Sequence, residues 1–326
     1  MTAGPAVSFV IPVREDPLRL AQCLDSIRAN ADARPLEIIV ADNGSRDATP
    51  DVARSAGATV LSLPALSVAQ LRNAGARAAR SPILAFVDAD HVVAPGWLAS
   101  ALETLAATSA AAVGAPYLPP AEASWVQRAY NRFRQHVPGV HEVEWLGSGN
   151  LVVRREAFQA VGGFDESLET CEDVDLCNRL RMAGHRLLSD DRLRSAHLGD
   201  PATVRALFAS ELWRGRDNIT VTLRGPLTLR AMPSLVIPIV NLAMLASVVV
   251  GFAASPWLGA WPPALASAVI FLTVGVRVAR MRIEDRENPI VALAQNLAVA
   301  LVYEAGRALA LVVRATHRTR RQGAVL

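Results

Sequence analysis

The sequence contains no lysine, so all 33 basic residues of the 326-residue chain are arginines, and it has only three cysteines. Cys23, Cys171 and Cys177 are odd in number and lack a Cys-x-x-Cys spacing. This argues against a disulfide framework or a zinc site and fits a reducing compartment. The first seven residues lack a basic segment followed by an apolar one, so we expect no signal peptide.

Charged residues are also scarce, at 19% of the chain, whereas hydrophobic residues make up 52%. With a mean hydropathy of +0.26, the composition is too apolar for a wholly soluble enzyme and predicts membrane segments. The net charge is only +3. Because arginines cluster towards the C-terminus beside apolar runs, this excess indicates a membrane surface rather than nucleic acid.

Two uncharged apolar runs, residues 235–254 and 258–276, each have roughly the 20 residues that a membrane helix needs. Only three residues separate them, so we expect a tight helical hairpin. Arginines flank the hairpin on both sides: Arg224, Arg230, Arg277, Arg280, Arg282 and Arg286. The positive-inside rule places both flanks in the cytoplasm.

A third apolar run, residues 290–313, contains Glu304 and Arg307 on one side of the predicted helix. A third span would carry the C-terminal arginines to the outer face, so we favour an interfacial helix over a membrane span. The expected organisation is a catalytic domain of residues 1–230 followed by a membrane region of residues 231–326.

The N-terminal part alternates predicted strands with predicted helices; the strands cover residues 7–13, 36–41, 59–63 and 83–87. This order is typical of βαβ units and predicts an α/β fold with a Rossmann-like, mostly parallel sheet. Residues 119–145 show no clear pattern.

The fourth predicted strand ends at Asp88-Ala89-Asp90. Ligands of such sheets collect at the carboxyl ends of the strands. Two carboxylates one residue apart can hold a divalent cation that in turn binds a diphosphate. The alternative is an acidic loop that caps the next helix.

Six motifs occur in a fixed order: residues 9–15 (FVIPVRE), 39–47 (IVADNGSRD), 71–75 (LRNAG), 88–90 (DAD), 163–166 (GFDE) and 172–173 (ED). In this order the sequence resembles the family 2 glycosyltransferases of the GT-A fold, over about residues 7 to 200. The resemblance implies a GT-A catalytic domain that transfers a sugar from a nucleoside-diphosphate sugar with inversion at the anomeric carbon.

On the donor side, the resemblance implies that the nucleotide pocket is lined by Pro12, Val13, Arg14, Glu15, Asp42, Arg72 and Asp88. Asp42 would accept a hydrogen bond from the base, and Arg72 would lie near the base or the diphosphate. The alternatives are a turn residue for Asp42 and a solvated helix face for Arg72. Asn43 stands where the family often has a second Asp, so the identity of the nucleotide's base stays open.

For the metal, the resemblance implies Mg²⁺ or Mn²⁺ held by Asp88, Asp90 and the late His197. A single histidine is often structural, so that alternative stays open for His197. His91 could stack or bond nearby or be an ordinary loop residue.

For catalysis, the resemblance implies that Asp173, beside Glu172, is the general base for the acceptor hydroxyl. The alternative is plain negative charge at a helix N-terminus. On the acceptor side it implies Gly149 and Asn150, with Trp213 and Arg214 near the membrane. Trp213 comes before Arg214, whereas processive members of the family have Arg before Trp, and this makes processive synthesis doubtful.

We therefore expect a hexosyltransferase of cell-envelope polysaccharide biosynthesis at the cytoplasmic face of the bacterial inner (plasma) membrane. Its partners would be a nucleotide sugar, a lipid-linked or glycan acceptor and the membrane, with no nucleic acid. The alternatives are a processive polysaccharide synthase and a catalytically idle, membrane-anchored subunit that binds nucleotide sugar.

Overall fold

The computed structural model describes residues 6–31, 35–134, 136–258, 260–281 and 288–323, so Arg282 and Arg286 of the predicted cytoplasmic flank lie outside the described residues. The chain divides into two units. The sheet unit consists of residues 1–121 and 134–200, and the helical unit of residues 122–133 and 201–326. The chain therefore passes from one unit to the other three times.

The sheet unit contains all ten strands found among the described residues: β1 (Val7–Val13), β2 (Leu36–Asp42), β3 (Thr59–Ser62), β4 (Ile83–Val87), β5 (His91–Val93), β6 (Ala112–Gly114), β7 (Val140–Glu142), β8 (Asn150–Arg154), β9 (Leu187–Asp190) and β10 (Ser195–His197). Eight of them form one sheet in the order β3-β2-β1-β4-β8-β6-β9-β7. The first four are parallel, whereas β8 runs antiparallel to both of its neighbours.

Helices cover this sheet as the βαβ pattern predicts: α1 (Pro17–Ala29), α2 (Thr49–Ser55), α3 (Val68–Ala78), α4 (Trp97–Ala107), α6 (Arg155–Ala160) and α7 (Glu172–Met182). All seven residues of β1 are buried, as expected for a continuous apolar run in a parallel sheet. Asp16 caps α1 ahead of Pro17, and Ser67 and Gln70 form a capping box on α3. The predicted α/β fold with a mostly parallel core is confirmed.

The other two strands form a separate antiparallel ribbon, β5 with β10, that sequence reasoning did not predict. Its register pairs His91 directly with His197, although 106 positions in the chain separate them. The two imidazole rings are stacked, with their centroids 4.6 Å apart. This ribbon follows directly from Asp88-Ala89-Asp90 and thereby carries the late histidine to the end of β4.

The helical unit consists of α5 (Trp125–Asn131), α8 (Val204–Arg214), α9 (Asn218–Arg224), α10 (Met232–Leu258), α11 (Trp261–Val278) and α12 (Pro289–Gly323). Helix α8 ends before Gly215, and α9 begins three residues later at Asn218. Helix α5 lies in the stretch that the sequence left unassigned. By length and composition, α10, α11 and α12 could each cross a membrane.

The polar side of α12 contacts other helices of this unit. Glu304 is 2% exposed, and one of its oxygens lies 2.5 Å from Arg277 Nε on α11. Asn241 of α10 donates to its other oxygen at 3.2 Å. Since this polar side faces protein, the amphipathic pattern of residues 290–313 is explained by helix packing and no longer favours an interfacial position.

Candidate active site

Five of the seven predicted donor-side residues, Pro12 to Glu15 and Asp42, lie where β1 and β2 end side by side, because Val13 pairs with Asp42 in the parallel register. The Asp42 carboxylate is buried and accepts the backbone N–H of Ser45, at 3.3 and 3.2 Å from its two oxygens. Ser45 Oγ in turn accepts the N–H of Glu15, whose φ of +50° is unusual for a residue other than glycine. Pro12 and Val13 are buried within the strand, and Arg14 is exposed at its end.

Three potential metal ligands meet at the end of β4. Asp90, His91 and His197 each offer one ligand atom, and these atoms lie within 4.8 Å of one another. His197 Nε2 is 3.2 Å from Asp90 Oδ2. The resemblance named Asp88, Asp90 and His197, so the ribbon brings His91 into the cluster beside two of these.

Two observations fit a divalent cation at this position. His91 Nε2 is buried and has no hydrogen-bond partner within the described part of the chain. Its Nδ1 is 2.8 Å from Ser195 Oγ, and when Nδ1–H donates to that hydroxyl, Nε2 presents its lone pair. The set of one carboxylate and two imidazoles suits Mn²⁺ better than Mg²⁺, which prefers oxygen ligands.

Two glycines leave room around these ligand atoms. A Cβ on Gly199 would lie 1.8 Å from Asp90 Oδ2, and one on Gly149 would lie 2.9 Å from His91 Nε2. The same Cβ on Gly149 would lie 2.7 Å from Asp88 Oδ2. Side chains at either position would collide with the candidate ligands.

A second layer of charged residues holds His197. Asp200 is fully buried, and its Oδ1 is 2.8 Å from His197 Nδ1. Both oxygens of Asp200 accept from Arg134, at 2.5 and 2.7 Å. The Arg134 guanidinium also lies 5.2 Å from the centre of the Tyr117 ring. This arrangement fixes the orientation of the imidazole whose Nε2 faces Asp90.

The pKa values reflect these contacts. Burial opposes protonation of His197, but its hydrogen bonds to Asp200 and Asp90 outweigh burial and raise its pKa to about 9. Burial, together with the nearby His197, lowers the pKa of His91 to about 4. Burial opposes ionisation of Asp90, yet the contact with His197 lowers its pKa to about 2. His91 is therefore neutral and Asp90 ionised at neutral pH.

The predicted base lies at the N-terminus of α7. Glu172 and Asp173 are its first two residues, and Cys171 before them has a left-handed backbone with φ of +60°. The Asp173 carboxylate accepts the N–H of Val174 at 2.8 Å, and the backbone N–H of Ser148 lies close enough to favour its ionised form. The N–H of Val174 thus orients the carboxylate, and the backbone of Ser148 lies beside it.

Arg72 connects the base helix to the end of β4. It is almost completely buried, and its two terminal nitrogens lie 2.6 Å from Asp88 Oδ1 and 2.7 Å from Glu172 Oε1. The solvated helix face considered for Arg72 is therefore not what the structure contains. One guanidinium instead ties the Asp-x-Asp motif to the Glu-Asp motif, and its bond to Glu172 spans 100 positions of sequence.

Burial, and then the neighbouring charge of Glu172, raise the pKa of Asp173 to about 6. The N–H groups of Val174 and Ser148 and the positive charge of Arg72 oppose this rise. A carboxylate with such a pKa is ionised at neutral pH and is a stronger base than an ordinary aspartate.

The residues expected on the acceptor side differ in their surroundings. Asn150 is fully buried, and its amide bonds to Trp97 Nε1 (2.7 Å), Ala115 O (3.1 Å) and Leu193 O (2.8 Å). Its amide is therefore committed to three partners inside the sheet unit.

Trp213 and Arg214 belong to the helical unit. Trp213 is 44% exposed, whereas Arg214 bonds to Tyr130 Oη at 2.6 Å and lies 3.4 Å from Glu211 Oε1. Arg214 thus takes part in a polar network within that unit.

Sequence reasoning missed Arg134, Asp200, Tyr117 and Ser148 and left His91 open. The only signal for His91 was its position directly after Asp90. The others act through contacts that depend on the β5–β10 ribbon and on the turn before β8, which have no local signature.

Comparison with known proteins agrees with this architecture. Residues 8–162 match the model of the family described as "Glycosyl transferase family 2". The pre-mycofactocin glycosyltransferase of Mycobacterium tuberculosis is 31% identical over 242 residues, which cover 69% of this chain and 50% of that protein. Glycosyltransferase AglE of Haloferax volcanii is 26% identical over 237 residues, covering 69% of this chain and 77% of that protein. The chain thus spans about half the length of the mycobacterial relative.

Among solved structures, the mannosyltransferase PcManGT from Pyrobaculum calidifontis, in complex with GDP-Man and Mn²⁺, has a TM-score of 0.57 at 17% identity; the match covers 94% of this chain and 88% of that one. Residues 1–349 of S. aureus TarS have a TM-score of 0.50 at 15% identity, covering 97% and 91%. These likenesses concern the fold alone, which is of the GT-A type with candidate membrane helices at its C-terminal end. Through residues 8–162 the chain belongs to glycosyl transferase family 2.

Proposed function

We propose that this protein is an inverting, metal-dependent glycosyltransferase that moves one sugar from a nucleoside-diphosphate sugar to a lipid-linked or polysaccharide-precursor acceptor at a membrane. The observation that carries the proposal is the bridge made by Arg72. It joins Asp88, beside the candidate metal ligands, to Glu172, beside the candidate base. A donor-activating group and a proton acceptor thereby belong to one connected site.

On the donor side, we assign the metal to Asp90, His91 and His197, with Asp88 next to them. Mn²⁺ or Mg²⁺ bound there supplies positive charge against the charge that develops on the departing diphosphate. The ends of β1 and β2, from Pro12 to Glu15 and at Asp42, form the nucleotide side of the pocket in this assignment. GDP-mannose, which PcManGT binds, belongs in any donor panel.

On the acceptor side, Asp173 takes the proton of the acceptor hydroxyl as that oxygen attacks the anomeric carbon. The bond between this carbon and the diphosphate oxygen breaks on the opposite face, so the configuration inverts. Glu172 is a positioning residue in this scheme, because its carboxylate is committed to Arg72 at 2.7 Å.

The candidate membrane helices α10–α12 support membrane association. We place the catalytic residues at the cytoplasmic face of a bacterial inner membrane, since nucleotide sugars are cytoplasmic and arginines flank α10 and α11. The residues 1–230 and 231–326 remain our proposed catalytic and membrane regions. Trp213 and Arg214 remain proposed acceptor-side residues.

The test is release of nucleoside diphosphate by the detergent-solubilised full chain. The assay offers UDP-, GDP- and TDP-sugars with Mn²⁺, Mg²⁺ or EDTA, in the presence of membrane lipid extract. We expect metal-dependent turnover of one donor, stimulated by the extract, and transfer of a single sugar. Long products would favour a processive synthase, and donor binding without turnover would favour an idle subunit.

A matched pair of variants tests the base. Asp173→Asn should lower kcat by about a hundredfold or more while donor affinity is retained. Glu156 is an exposed acid in the first turn of α6, so Glu156→Gln controls for ordinary helix N-terminal charge and should be fully active. Full activity of Asp173→Asn would overturn the assignment.

A further inference from the structure

A short segment before β8 lies along the base helix in a regular register. Alternate residues of the segment contact residues that lie one helical turn apart on α7: Glu144 with Arg181 (3.8 Å), Leu146 with Cys177 (N to Sγ, 3.3 Å) and Ser148 with Asp173. Positions four apart on a helix share one face. The segment from 144 to 148 is therefore fixed to the same side of α7 that carries the base.

Trp145 lies between two of these anchors and faces away from the helix. Its side chain is 57% exposed, whereas Leu146 beside it is 4% exposed. Gly147, two residues on, is so close to Tyr117 that a Cβ there would lie 2.1 Å from the Tyr117 hydroxyl oxygen. Trp145 thus lies on the Tyr117 side of the segment, and Tyr117 contacts both candidate ligand histidines.

The distance from Trp145 to the base is limited by the chain. Trp145 precedes Ser148 by three positions, so their Cα atoms lie at most about 10 Å apart, and the N–H of Ser148 lies beside the Asp173 carboxylate. A ring stacked on the indole and a hydroxyl at Asp173 are therefore close enough to belong to the same acceptor molecule.

The surroundings of Trp145 favour a sugar ring over an acyl chain. A rigid indole offers a broad apolar face on which the C–H face of a sugar can stack. The residues just before Trp145 in the chain carry ion pairs, Glu144 with Arg181 and Glu142 with Arg186 at 3.1 Å. Such groups can bond sugar hydroxyls, whereas burying them in an acyl layer would be costly.

We propose that Trp145 is the stacking platform of an acceptor subsite, and that the acceptor carries a sugar ring next to the group that is glycosylated. This inference rests on the proposed function, because it takes Asp173 as the base. It narrows the acceptor to a molecule that already bears a saccharide, as opposed to a bare lipid alcohol or lipid phosphate.

The experiment uses the detergent-solubilised full chain, the donor that it turns over, and membrane lipid extract as the acceptor probe. Wild type is compared with Trp145→Ala, Trp145→Phe and Trp261→Ala; Trp261 is an exposed tryptophan of α11 and serves as the matched control. Donor hydrolysis without extract is measured for each variant. One portion of the extract is treated with periodate, which cleaves the vicinal diols of sugar rings, and is then quenched.

We expect Trp145→Ala to need about tenfold more extract for half-maximal transfer, with donor KM and acceptor-free hydrolysis unchanged. Trp145→Phe should restore most of the loss, Trp261→Ala should behave as wild type, and periodate should abolish the stimulation. Stimulation that survives periodate, or equal extract dependence of Trp145→Ala and wild type, overturns the inference. An equal loss in Trp261→Ala would indicate a membrane contact and overturn it too. If wild type turns over no donor, the proposed function itself fails.

Discussion

Replacing Glu172 by Gln should move the acid limb of the pH–rate profile to lower pH. The negative charge of Glu172 is the second-largest cause, after burial, of the raised pKa of Asp173. The substitution removes that charge and keeps the side-chain shape. It also leaves Arg72 paired with Asp88 at 2.6 Å, and the charge of Arg72 favours ionised Asp173. Both effects lower the pKa of Asp173.

The size of the shift follows from the pKa of about 6 for Asp173. In wild type about a tenth of Asp173 is ionised one pH unit below that value, so kcat/KM at pH 5 should be about a tenth of its plateau. Burial remains in the variant, so we expect a shift of about one unit, which leaves about half of the plateau rate at pH 5. Burial holds Cys177 and Tyr117 neutral over this range by raising both pKa values.

The assay is kcat/KM for the acceptor from pH 4.5 to 8 with saturating donor, expressed relative to each protein's own plateau. Glu156→Gln, at the exposed N-terminus of α6, is the control and should have the wild-type midpoint. A midpoint for Glu172→Gln that is unchanged or higher would refute the placement of Glu172 beside the base.

Three further predictions concern the same centre. The fold raises the pKa of Asp173 to about 6, so ionised Asp173 destabilises the folded protein, and this destabilisation grows as the pH rises from about 4 through 6. Asp173→Asn removes it and should therefore stabilise the protein by about 2–3 kcal/mol at pH 8 and little at pH 4, as measured by thermal unfolding. Asp200→Asn should weaken Mn²⁺ binding about 10- to 100-fold in titration calorimetry, since Asp200 orients His197; unchanged affinity would exclude that role. Gly199→Ala should abolish Mn²⁺ binding in the folded protein, because its Cβ would collide with Asp90.

The core strands were predictable because each is a continuous apolar run that is buried on both faces. β1 and β4 lie as the sequence indicates, and Asp88 and Asp90 follow β4 at the carboxyl edge. This part of the site depends only on chain order and on the rule that parallel strands end at one edge. Asp173, in contrast, was named as the base only through the family resemblance, with plain charge at a helix N-terminus as the alternative.

The rest of the centre depends on contacts that have no local pattern. β5 and β10 have three residues each, too few to show periodicity, and only their pairing places His91 opposite His197. For Arg72 the resemblance implied a place near the nucleotide base or the diphosphate, and a solvated helix face was the alternative. The burial of Arg72 follows from two carboxylates supplied by β4 and α7, which sequence spacing alone could not bring together.

All of the proposed donor-activating residues and the proposed base lie in the sheet unit, whereas the candidate membrane spans lie in the helical unit. Three acids of the sheet unit are paired through arginines, Asp88 and Glu172 with Arg72 and Asp200 with Arg134. Breaking one such pair leaves the other charge buried and costs several kcal/mol. Loss of activity in an arginine variant therefore argues for a catalytic role only when folding is shown to be intact. Substitutions that keep the shape and remove one acid from a shared arginine, as Glu172→Gln does, separate the electrostatic role from the structural one.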